Sequence, residues 1–157
     1  MMRSFFSVLV CGAFFTAASA VAFADDAKEE AIKKDRKQIE GIWRASSLVV
    51  DGNKSETKDA KKLSVVNSPD GVWTFVADGK ELYKGKSSID PTKKIKTIDF
   101  SLTDADGKSV HYLGIYELGE KTRKLCFALA SKGRPTEFAS KPGSESIFAT
   151  FERETDK

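Results

Sequence analysis

One histidine, two cysteines, two methionines and four prolines are all that these 157 residues contain of those types. A lone histidine, His111, leaves no imidazole cluster for a metal centre, because tetrahedral sites take three or four protein ligands. No phosphate-cradling glycine loop is present, and the serine-rich spots Ser46-Ser47, Ser87-Ser88 and Ser144-Ser146 lack the glycine elbow of a serine hydrolase. Charge of a single sign is missing as well. The 26 basic and 23 acidic residues are interleaved and leave a formal net charge of only +3, so there is no electrostatic footprint for nucleic acid. The Lys61-Lys62 and Lys93-Lys94 pairs read as solvated charges beside turns. Long apolar runs are absent except at the N-terminus.

That run defines a compartment. Arg3 is the only charge before Asp25, Phe5 to Phe15 is apolar, and Thr16 to Ala24 turns small and ends Ala22-Phe23-Ala24. A positive start, an apolar centre and a small-x-small end predict a secretory signal peptide over residues 1–24, with cleavage after Ala24 and, as second choice, after Ala20. Cys11 is not a lipid-attachment site, since Val10 precedes it and apolar sequence continues beyond it. The expectation is an exported protein, periplasmic or extracellular, with no membrane association after cleavage. Residues 25–157 then form one domain of ordinary size. Cys126 is left without an intramolecular partner, and its place between Leu125 and Phe127 predicts an inert, buried thiol.

The chain changes period once. Asp25 to Glu40 reads as a helix, with acids at its positive end and Glu29 and Glu30 placed four residues before Lys33 and Lys34. Its apolar stripe is thin, so it is expected to lie across one end of another structure. From Ile42 the period is two, as in Trp43-Ala45-Ser47-Val49, Trp73-Phe75, Ile98-Phe100-Leu102 and Leu125-Phe127-Leu129. Turn signals at Asp51-Gly52-Asn53, Pro69-Asp70-Gly71, Asp78-Gly79, Asp90-Pro91, Asp106-Gly107 and Gly119-Glu120 separate the runs. Strands are predicted near 42–50, 62–67, 71–77, 81–89, 95–103, 109–118, 122–130 and 146–153. Eight short antiparallel strands without intervening helices predict a mainly β, up-and-down barrel, because closure removes exposed edges. Gly85 and Gly114, inside strands, are expected to serve its curvature.

Gly41-Ile42-Trp43 after the helix, together with Asp99-Phe100, Gly114-Ile115-Tyr116-Glu117-Leu118, Leu125-Cys126-Phe127-Ala128 and Arg134-Pro135-Thr136-Glu137-Phe138, carries a resemblance. These segments resemble a family of exported, lipocalin-like domains, abundant in planctomycete-type bacteria and of unassigned function. The resemblance covers the chain from about Lys37 to Glu154. It implies that Trp43 plugs the closed end of an eight-stranded barrel, with a basic residue of the last strand over its indole. Arg153 is the candidate by position and Arg44 the local alternative. The resemblance supplies no catalytic residues. Where such domains have a compact Gly-Asp turn, this chain has Gly119-Glu120-Lys121-Thr122-Arg123-Lys124, a more basic hairpin.

The loop from Ser131 to Ser144 is the candidate ligand-binding region. Arg134, Thr136, Glu137 and Phe138 are expected at the barrel rim, where Arg134 would clamp a carboxylate or phosphate. The structural alternative pairs Arg134 with Glu137 and tucks Phe138 into the barrel mouth. A dyad of His111 and Cys126 lacks an orienting carboxylate, and Asp104-Ala105-Asp106-Gly107 lacks the glutamate that closes a calcium loop, since Ile115 stands in its place. No catalytic residue, metal site or cofactor is expected. Large apolar residues on both alternation phases suggest a mostly filled interior. The leading functional reading is a non-catalytic binding module that takes a small apolar or amphipathic molecule, or a peptide, at its rim. The alternative is a structural or interaction protein of the cell envelope with a filled barrel.

Overall fold

At Gly41 the helical period gives way to the strand period, and φ there is +110°, a region closed to side-chain-bearing residues. The computed structural model describes residues 19–103 and 106–155. Helix α1 (Ser19–Ile39) leads into β1 (Gly41–Val50), β2 (Asn53–Lys54), the single turn α2 (Thr57–Ala60), β3 (Leu63–Asn67), β4 (Val72–Ala77), β5 (Lys80–Asp90), β6 (Thr97–Thr103), β7 (Ser109–Leu118), β8 (Thr122–Leu129) and β9 (Ser146–Arg153). Strands β3 to β9 pair antiparallel with their sequence neighbours, β3 pairs with β1, and β9 returns to pair with β1. These eight strands close an up-and-down barrel, and β2 is a two-residue addition at the end of β1.

Three local features differ from the sequence expectation. α1 starts at Ser19 rather than Asp25 and runs through both expected cleavage positions, consistent with the high helix propensity of its alanines. Most of the expected signal segment, residues 1–18, lies outside the described residues, as do Asp104 and Ala105 of the calcium-like turn. β2 and α2 occupy a stretch expected as plain loop. In β1 the alternation does not run on to Ser47 and Val49. Ala45 faces Phe151 and Ser47 faces Thr150, so Ser46 is an extra residue, a β-bulge that reverses the phase. Beyond it Leu48 and Val50, not Ser47 and Val49, line the interior.

α1 crosses one end of the barrel. Its polar face is not idle: Asp35 is buried and accepts from Lys96 Nζ at 2.7 Å and from the Tyr116 hydroxyl at 2.7 Å. Burial, and then the bond to Asp35, push the Tyr116 pKa well above its ordinary value. Arg36 donates to Ser87, and Gln38 donates to the Gly119 carbonyl. Trp43 is fully buried at this end and its indole Nε1 donates to the Ile39 carbonyl at 2.7 Å. Arg153, paired with Trp43 across the closing seam, sets its guanidinium 4.4 Å from the ring centroid and donates to the carbonyls of Glu40 and Gln38. The last carbonyls of α1, which have no acceptor role left within the helix, are thereby satisfied by two side chains of the barrel.

Removing that guanidinium leaves carbonyls unbonded and an indole face bare. Arg153→Met is expected to lower unfolding free energy by about 2–4 kcal/mol. Arg44→Met, which breaks only exposed contacts, the pair with Glu154 at 2.8 Å and a bond to the Lys61 carbonyl at 3.0 Å, is expected to cost less than about 1 kcal/mol. Urea denaturation of both variants checks the contrast; equal losses would contradict it.

Candidate functional site

The inward phases of the strands do not fill the barrel. They enclose a cavity of about 420 Å³ that opens at the end opposite α1. The expectation of a filled interior is corrected by this cavity. Leu48, Val65, Phe75, Phe100, Leu125 and Phe127 form its apolar walls. Four aromatic rings pack along one side: Phe100 lies 5.6 Å from Trp73, 5.1 Å from Tyr112 and 4.9 Å from Phe127. Edge-on and offset contacts of this kind hold rings in place. Trp73 can lie there because β5 carries Gly85 beside it, where a Cβ would sit 2.8 Å from the indole and 1.8 Å from the Ser101 carbonyl. At the open end Tyr83 stacks on Phe75 at 6.3 Å, and Leu82, the extra residue of a second bulge, is 52% exposed.

The floor, toward α1, is polar. Asn67, Ser87 and Arg123 line it, with Phe151 beneath the guanidinium at 5.9 Å. Arg123 is buried and donates to Asn67 Oδ1 at 3.5 Å, while its Nε has no acceptor among the described residues. Trp73 Nε1, also in the cavity lining, is buried without an acceptor among them. Burial pulls the Arg123 pKa down to about 10, so the group stays charged at neutral pH.

Arg134, Thr136, Glu137 and Phe138 are not at the barrel mouth. The loop that follows β8 runs down the outer wall. Arg134 donates to the Gly114 carbonyl at 2.7 Å and the Ile98 carbonyl at 3.3 Å, and meets Asp99 Oδ1 at 2.6 Å. Ile98 and Gly114 are register partners in β6 and β7 well below the open rim. Glu137 pairs with Lys141 rather than with Arg134. Phe138 packs on the outward ring of Phe148 at 6.4 Å, and Thr136 is exposed. Arg134, Thr136 and Glu137 border a hollow of about 200 Å³ between loop and wall. The physical reason is an apolar stripe outside the barrel: Ile115, Cys126 and Phe148 face outward, and the loop covers them.

Cys126 lies under that cover with its Sγ 3.4 Å from the Ala139 carbonyl, and burial raises its pKa. His111 shares the outer face but stands four residues along β7 from Ile115, the register partner of Cys126. That spacing puts the two side chains roughly 13 Å apart, beyond hydrogen-bond reach. His111 instead meets the Ser109 hydroxyl at 3.3 Å on the exposed wall. Sequence reading passed over Arg123, which looked like one more base in a basic hairpin. The signal was there in its phase, because Arg123, Leu125 and Phe127 alternate onto one face.

If Arg134 fastens the loop to the wall, Arg134→Ala should expose Cys126. Labelling of the thiol by a disulfide reagent at mildly alkaline pH is expected to speed up by about tenfold, the effect of losing roughly 1.4 kcal/mol of local closure. An unchanged rate would show that the loop is held by its other contacts. Among the described residues no helix is long and apolar enough to cross a membrane. No protein-family model, no curated protein and no solved structure matches this chain, so its functional reading rests on its own geometry.

Proposed function

We propose that this protein is an exported, non-catalytic binding module of the lipocalin-like kind, taking up a small apolar or amphipathic molecule inside its barrel rather than on its rim. The observation that carries the reading is the cavity of about 420 Å³, apolar-walled and open at one end, within the size range of small-molecule sites. An eight-stranded barrel has room for its own side chains or for one small ligand. Here the small residues Ala45 on β1 and Ala149 on β9 line the interior and leave room in it. A peptide suits the site less well, since the sheet has no free central edge for strand addition and the opening leads to a closed floor. Export rests on the N-terminal run of Phe5 to Ala24 and on the resemblance of the Gly41-Ile42-Trp43 and Gly114 to Leu118 segments to exported domains.

The purified protein is expected to bind the neutral, apolar dye N-phenyl-1-naphthylamine saturably at one site, with a rise in dye fluorescence. Leu102→Trp, which narrows the mouth, should weaken that binding by about tenfold, a loss of about 1.4 kcal/mol. His111→Ala on the outer wall should leave it unchanged. Absence of saturable dye binding by the wild type would sink the reading.

A further inference from the structure

The cavity floor holds a positive charge with no counter-charge. Arg123 is 3% exposed and points inward from β8. Its one hydrogen bond among the described residues, to Asn67 Oδ1, is 3.5 Å long, at the outer limit of useful geometry. Its Nε has no acceptor among the described residues. Asp35 is the one buried carboxylate among those residues, and it is already taken by Lys96 and Tyr116. Tyr116 nearby is a neutral phenol that donates to Asp35, and the charged group that acts on Arg123 is a second cation, Arg36. Buried guanidinium groups are ordinarily paired, because desolvating a lone ion is expensive. A second donor without an acceptor, the Trp73 indole N–H, lines the same cavity. The lining is thus donor-rich and acceptor-poor toward the floor and apolar toward the mouth.

This inference rests on the internal binding reading and deepens it: we infer that the ligand is an amphiphile with a carboxylate head, seated head-first on Arg123 with its apolar part toward the opening. A carboxylate only accepts hydrogen bonds, carries one negative charge and matches the planar fork of a guanidinium. An alcohol or aldehyde would leave the charge uncompensated. A phosphate dianion would bring more charge than this one lining cation balances. Asn67 accepts from the guanidinium and so orients its fork.

Competitive displacement of N-phenyl-1-naphthylamine at neutral pH, using decanoate, decanol and methyl decanoate, tests the assignment on the wild type without any variant. Decanoate is expected to bind at least about tenfold tighter than the two neutral probes, as a charge-assisted contact requires. Arg123→Met should abolish that preference, leave decanol binding within about twofold, and raise the thermal midpoint of the ligand-free protein, because an unpaired buried charge is gone. Equal affinities for acid and alcohol in the wild type would overturn the head-group assignment while leaving internal binding intact. A preference that survives Arg123→Met, or a variant less stable than the wild type, would show that Arg123 is structural and overturn the inference. Saturable binding of none of the probes would overturn both this inference and the function it rests on.

Discussion

The barrel depends on a knot at its closed end, where the end of α1, the start of β1 and the end of β9 meet. Trp43 and Arg153 are register partners across the seam that closes the sheet, and both also donate to the final carbonyls of α1. One pair of side chains therefore joins the first strand, the last strand and the helix, across more than a hundred residues of sequence. Gly41 makes the junction possible in two ways. Its φ of +110° turns the chain out of the helix, and a Cβ there would come within 3.1 Å of the Arg153 Nη1.

Below and above that knot the polar groups behave differently. The Asp35 carboxylate is buried, but Lys96 and Tyr116 satisfy it, and the group pins α1 to β7 and to the turn before β6. A satisfied buried network of this kind specifies a unique packing. Arg123 sits a short way up the barrel, and its Nε has no acceptor among the described residues. Its guanidinium lies in a hollow whose other walls are mostly apolar.

The period-two runs from Ile42 onward made the strands legible, and the spaced Asp-Gly and Pro-Asp-Gly turns made their antiparallel order legible, because both are local properties. Trp43 and Arg153 could be paired by position once a barrel was assumed. What alternation cannot show is which face is inside. Ser46 inserts one residue into β1 and exchanges the faces of Leu48 and Val49, an event that leaves no mark on composition. The loop from Ser131 to Ser144 posed a harder problem. Where a long loop docks is decided by the surface it covers, and that surface is assembled from β7, β8 and β9. Arg134 reads as a rim clamp when its partners are unknown, yet the carbonyls it reaches, Ile98 and Gly114, belong to the flank.

The same loop explains why the barrel can be hollow. Apolar residues occupy both alternation phases of β7 to β9, which in a two-faced sheet would mean a packed centre and an exposed greasy wall. Here the outward phase, with Ile115 and Cys126 buried and Phe148 half-buried against Phe138, is covered by the loop, so those residues do not compete for interior volume. The inward phase is left to line a space rather than to fill it, with Ala45 and Ala149 as small lining residues. Burial of the external stripe contributes apolar area to stability, at about 25 cal/mol per Å², without using the centre of the barrel. The cost of an incompletely packed core is offset outside it, and the cavity with the Arg123 guanidinium at its floor is what that arrangement leaves open.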